Sequence, residues 1–177
     1  MAKTAKKLRI LALDPATHCG FAHSSGPSGM WDLSVKRDES SGMRLLRLRA
    51  ELIKLHEKHG IDLLVFEASR NSKFGNAVKI AGQIQGVIEV WALDNGVEYR
   101  GYSPKEIKKH ATNNGNADKD AMVAAAEKKW PKIKIVSNDH ADALHLLDLA
   151  LSEYAVTLSE KDKGNGRNES PTTPEPE

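Results

Sequence analysis

The sequence predicts an α/β domain built on a five-stranded mixed sheet, three antiparallel strands continuing into two parallel ones, with helices on both faces. Three observations carry this prediction. Periodic segments follow one another as strand, strand, strand, helix, strand, helix, strand, helices. Leu8 with Ile10, Leu11, Ala12 and Leu13, and Ile61 with Leu63, Leu64, Val65 and Phe66, give runs that are apolar without alternation apart from Arg9 and Asp62, which marks strands covered on both faces. Between residues 18–25 and 29–35 stands Gly26-Pro27-Ser28-Gly29, a turn that makes the first three strands a meander.

A short basic arm precedes the first strand, which ends at Asp14 because Pro15 lacks a backbone donor. Residues 39–59 place Met43, Leu45, Leu46, Leu48, Leu52, Ile53 and Leu55 at near-helical spacing among charged residues, and Gly60 stands where such a helix stops. The next strand, Ile61–Phe66, ends in Glu67. A polar loop, residues 68–75, leads to a helix from Asn76 to Asp94 that carries two apolar stripes. One is Ile80, Ile84, Val87 and Trp91; the other is Val78, Ala81, Ile88 and Ala92. Either both stripes are covered within the domain, or one meets a partner subunit. Val97–Tyr102 reads as the fifth strand, and Ser103-Pro104 opens a helix with proline at its first position. A polar turn at 112–116 and a helix over 117–130 follow, and the last helix runs from Ser137 to about Ala155.

Length and composition bound the chemistry. The 177 residues suit one domain with a proper core, taken as residues 1–158, and the polar, aromatic-free stretch 159–177 is expected to be a disordered tail. One cysteine, Cys19, excludes an internal disulfide and a cysteine-metal cluster, which points to a reducing, cytoplasmic setting. No run approaches a membrane span. Net charge is +2 for the chain and +4 for residues 1–158. Such a balance permits a polyanionic partner without demanding one.

Four acids stand where chemistry is done. Asp14 and Glu67 close core strands, and Asp139 and Asp142 lie three apart in the first turn of the last helix, on one side of it. Each has a structural reading too: Asp14 can accept hydrogen bonds within its own turn, and acids at a helix start complement its dipole. Gathered at one rim, the four would repel and hold protons unless cations neutralised them, and hard divalent cations with oxygen shells, Mg²⁺ above all, are the natural partners. Two such ions suit in-line phosphodiester displacement, with an activated water as nucleophile. Between Ser103 and Lys134, eight lysines face four acids around a Gly/Asn turn, which suits a phosphate backbone or a plain solvated face. His18 and Cys19, adjacent on an alternating strand, point to opposite faces and make no dyad.

These residues together resemble the RuvC family of Holliday junction resolvases, within the ribonuclease H-like superfamily. The likeness lies in the strand ending at Asp14, the strand ending at Glu67 and the helix start Asp139-His-Ala-Asp142-Ala-Leu. It extends to Gly82-Gln83-Ile84-Gln85-Gly86 and to Ser103-Pro-Lys-Glu-Ile-Lys-Lys with Gly115-Asn-Ala-Asp-Lys119, and so covers roughly residues 8–155. The resemblance implies a ribonuclease H-like fold and paired cutting of four-way and other branched DNA by a homodimer. It implies two Mg²⁺ ions, replaceable by Mn²⁺, on Asp14, Glu67, Asp139 and Asp142; some members have a histidine as third ligand, and His140 is adjacent. The short layout is more like phage-encoded members, so that the setting is a bacterial or phage-infected cell. Lys108 and Lys119 match basic residues near the scissile strand, and Lys105, Lys109, Lys73 and His140 join them as expected DNA contacts. Where well-known members stack an aromatic on the junction bases this chain has Arg70, with Phe74 four residues on. Ala16 replaces the usual glycine after Asp-Pro. The 76–94 helix, with its second apolar stripe and with Gly82 and Gly86 four apart, is the expected dimer contact, and charged residues in place of Ile84 and Ile88 are expected to break it. A different ribonuclease H-like nuclease, acting on RNA–DNA hybrids or branched DNA, is the alternative.

Overall fold

Strand β1 (Ile10–Asp14) sits at the centre of the sheet because its side chains find apolar cover on both sides. Leu11 and Leu13 pack with Leu48 and Leu52 of α1 (Met43–His59) and with Ile84, Ile88 and Trp91 of α2 (Asn76–Asp94). Ile10 and Ala12 turn the other way, onto Leu146, Leu149 and Ala150 of α5 (Asn138–Gly164). The computed structural model describes residues 8–68 and 75–164, with side chains through Tyr154.

The sheet order is β3 (Ser28–Asp32), β2 (His18–His23), β1, β4 (Leu63–Glu67), β5 (Glu98–Tyr102). The first three strands are antiparallel, and β4 and β5 add in parallel. Helices α3 (Pro104–Thr112) and α4 (Lys119–Lys129) join α5 on one face, where Ile107 and Met122 enter the core. This is the predicted mixed sheet.

Local chemistry sets the element boundaries. Ser103 and Glu106 form a reciprocal capping box that starts α3 at Pro104, and Asp118 accepts from the Ala121 amide at 2.8 Å to start α4. Helix α1 begins at Met43 rather than residue 39, because Arg47 holds Glu39 at 2.7 and 2.8 Å and so folds the preceding segment back as a loop. Helix α5 continues past the expected Ala155 to Gly164, since no Gly or Pro interrupts it sooner.

The two apolar stripes of α2 do not divide between sheet and partner. Ile84, Ile88, Trp91 and Ala92 are all buried in one cluster, with Ile80 and Val87 against it. Ile84 and Ile88 are therefore core residues, and the outward apolar positions of α2 are Val90 (60 % exposed) and Leu93 (68 %). Among the described residues no helix is long and apolar enough to cross a membrane.

Candidate active site at the carboxylate rim

Three elements deliver four carboxyl groups to one end of the sheet. Asp14 ends β1 and Glu67 ends its parallel neighbour β4, and the pairing of Leu13 with Phe66 sets the two acids side by side. Asp139 and Asp142 come from the first turn of α5, whose start is fixed by Ser137 accepting from the His140 amide at 3.0 Å. What lets α5 come so near is Gly20, the register partner of Asp14 on β2. A Cβ there would stand 1.8 Å from the Asp139 carbonyl oxygen, a hard overlap with backbone that only glycine avoids.

The acids perturb one another as a cluster should. Burial, then the charges of Glu67, Asp142 and Asp139, hold Asp14 well above the usual carboxylate range, with Lys119 opposing. Burial, followed by Asp142, raises Glu67 to about 7 against the pull of Lys108. Asp142 is pushed up to about 6 by burial and by Asp139, and Lys108 and Lys119 oppose the shift. Asp139 is also raised by burial, while Lys119, His18 and a hydrogen bond with Asp14 work the other way. Protons thus stand in for missing positive charge.

This donor set fits a hard divalent cation. It is all oxygen, it carries excess negative charge, and Oδ1 of Asp142 is buried with no hydrogen-bond partner among the described residues. Among those residues no three His, Cys, Asp or Glu side chains are already closed into a metal cage. A cation bound there would relieve the mutual repulsion of the acids.

The predicted basic residues divide. Lys108 acts on Glu67 and Asp142, and Lys119 on Asp14, Asp139 and Asp142, so both border the cluster. Lys105 and Lys109 are exposed on α3 and are not among the charges that shift the acids. Arg70, Lys73 and Phe74 lie outside the described residues. His140 is corrected. It is only 2 % exposed, its Nδ1 accepts from the Val136 amide and its Nε2 pairs with Ser28 Oγ at 3.0 Å, so it pins α5 to β3 and has no nitrogen left for a ligand or a phosphate. Cys19 is fully buried, and burial pushes its thiol far up, which removes it as a nucleophile. The sequence reading missed His18, which is exposed and acts on Asp139. The period of two on β2 carried the signal, since it places His18 on the face of Gly20.

A pH dependence follows from Glu67. Its carboxyl titrates at about 7 in the fold against 4.5 for the ordinary group, so folding is favoured below pH 4.5 and that advantage is lost as pH rises to about 7. Glu67→Gln is expected to match wild type in metal-free thermal stability near pH 4.5. At pH 8 it should exceed wild type by on the order of 2 kcal/mol, roughly 5 °C. A difference that stays flat across pH in calorimetry would remove the charge argument.

Residues 10–151 match the sequence profile of the family described as crossover junction endodeoxyribonuclease RuvC. The chain is 30% identical over 146 residues to the RuvC of Brachyspira hyodysenteriae, covering 76% of this chain and 88% of that one. It is 30% identical over 155 residues to the RuvC of Gloeobacter violaceus, covering 83% and 88%. In structure it is similar to Thermus thermophilus RuvC, with a TM-score of 0.67 at 18% identity over 85% of this chain and 98% of that one. The same protein in complex with a Holliday junction substrate gives 0.68, at 18% identity over 86% and 97%.

Proposed function

The chain belongs to the crossover junction endodeoxyribonuclease RuvC family, and from that membership we propose that it is a structure-specific endonuclease that resolves four-way DNA junctions by divalent-metal-dependent phosphodiester hydrolysis. The observation that carries this reading is the rim itself: four mutually repelling carboxyls from β1, β4 and α5, with one buried oxygen unpartnered among the described residues. Asp14, Glu67, Asp139 and Asp142 would hold two Mg²⁺ ions, with Mn²⁺ as a substitute. When bound, such ions supply charge neutralisation at the scissile phosphate and activation of a water. Asp139 is assigned the third place in preference to His140, whose ring nitrogens are engaged elsewhere.

Lys108 and Lys119 border the acids and take the phosphates flanking the cut; Lys105 and Lys109 meet the backbone further along. Arg70, Lys73 and Phe74, in the segment between Glu67 and α2, are assigned to the branch point on sequence grounds. Two like-polarity cuts need two sites, so the working unit is a homodimer across the outward face of α2.

The test is Mg²⁺-dependent cleavage of a synthetic four-way junction, compared with a matched RNA–DNA hybrid. Paired cuts in the junction support the reading, whereas preference for the hybrid favours the other ribonuclease H-like activity. Lys108→Ala and Lys119→Ala should each slow cleavage and reduce the salt slope of junction binding by about one counterion. An unchanged rate and slope would return both lysines to a solvated face.

A further inference from the structure

Arg44 is a cation buried at the start of α1. It stands in the first turn of α1 at 8 % exposure, and its Nε is buried with no acceptor among the described residues. Arg47, one turn on, is consumed by Glu39 and the Ser34 carbonyl. A buried guanidinium N–H without an acceptor is costly, and an anion that accepts from it recovers that cost.

The surroundings are suited to an anion. Arg44 lines a cavity of about 240 Å³ with Ser41 before α1 and with Asn76, Lys79 and Gln83 of α2, and among the described residues no acid lines it. Helices α1 and α2 both begin there, neither with a side-chain cap and neither with an acid in its first turn. Two helix starts thus place their positive ends beside the cavity that Arg44 lines.

Its position relates it to the acids. On another flank of α2, Ala77, Val78 and Ala81 face Pro15, Ala16 and Thr17, the turn that follows Asp14, across a second cavity. The cavity is therefore on the catalytic rim, separated from the carboxylates by the first turns of α2.

We propose that Arg44, with Lys79 and the first-turn amides of α2, binds a backbone phosphate of the nucleic-acid substrate at a site distinct from the carboxylate cluster. The proposal rests on the junction-nuclease reading for its substrate and on the cavity for its chemistry. A guanidinium fork matches a tetrahedral oxyanion, and the lysine adds a point charge. A strand crossing the rim would be gripped here while the scissile phosphate lies over the acids.

The test uses the full-length protein and Arg44→Met, which keeps the length and removes the charge. Because a buried N–H without an acceptor disappears, the variant should melt no lower than wild type. Inorganic phosphate should raise the melting temperature of wild type and not of the variant. In EDTA, junction affinity should fall about tenfold with a salt slope shallower by about one, while cleavage at saturating junction is retained. If Arg44→Met fails to fold, exposed Lys79→Ala must show the shallower slope by itself. A lower melting temperature with wild-type affinity and slope overturns the proposal, as does equal stabilisation of both proteins by phosphate. Failure of the junction reading looks different: wild type cuts no junction, yet duplex binding still weakens in Arg44→Met, which supports the site and removes only the branched substrate.

Discussion

Asp14→Asn is expected to abolish cleavage of a four-way junction, by about a thousandfold or more, while leaving the affinity for that junction unchanged or higher. Asp14 is held well above the usual carboxylate range by burial and by its three acidic neighbours, which favours its protonated form when no cation is bound. An amide is close to a copy of that protonated group. The fold should therefore accept it without strain, and the metal-free variant should be no less stable than wild type. What the amide lacks is the second charge state, the one that binds a divalent cation. Phosphate approach should ease, because one negative charge is gone from the rim. The measurement is single-turnover cleavage in Mg²⁺ beside junction binding in EDTA. Loss of binding in parallel with cleavage would mean that Asp14 holds the fold together, and the metal assignment would go with it.

Much of this site was legible because its acids sit at the ends of elements that periodicity defines. An apolar run ending in Asp14, a second ending in Glu67 and an apolar helix opening on Asp139 and Asp142 fix which end of which element bears each carboxyl. Parallel pairing of β1 with β4 then brings the first two together. His140 was illegible for the opposite reason. It differs from its neighbours only in the direction its ring takes, and that direction is set by Ser28, 112 residues away in sequence. Gly20 was visible as a glycine but not as a contact, since its role depends on how closely α5 crosses β2. Arg44 read as one of several charges on an amphipathic helix. Its burial at the start of α1, with Nε unpaired among the described residues, is a tertiary fact that periodicity does not carry. The stripes of α2 misled in a related way: an apolar face of helical period says that it is covered but not by what. Ile88 and Ala92 of the second stripe join Ile84 and Trp91 of the first in one cluster beneath α2, so the exposed large apolar residues, Val90 and Leu93, are ones that neither stripe contains.

That correction moves the dimer contact and yields the second large effect. Val90 and Leu93, three residues apart and mostly exposed, share the outward side of α2 with Gln83 and Gly86. Beside them a groove of about 470 Å³ runs between α1 and α2, bordered by Leu45, Arg49, Gly86, Val90 and Asp94. Gly86 adds no side chain to hold a second helix off, and the groove wall is mostly apolar. A two-fold contact here would set one copy of the surface against itself and place two identical carboxylate rims on one two-fold junction. Val90→Glu combined with Leu93→Glu is expected to give a folded monomer, because substitutions at exposed positions usually change stability by less than about 0.5 kcal/mol. Ile84→Glu is expected instead to unfold the chain, since its side chain is fully buried beneath α2. The double variant should nick junctions slowly and one strand at a time, losing the paired cuts that wild type makes within one binding event. Light scattering with a supercoiled cruciform plasmid separates the outcomes, because a lone nick relaxes the plasmid and a paired cut linearises it. Wild type monomeric both free and on the junction, or a double variant that still linearises the plasmid, would remove α2 as the dimer face.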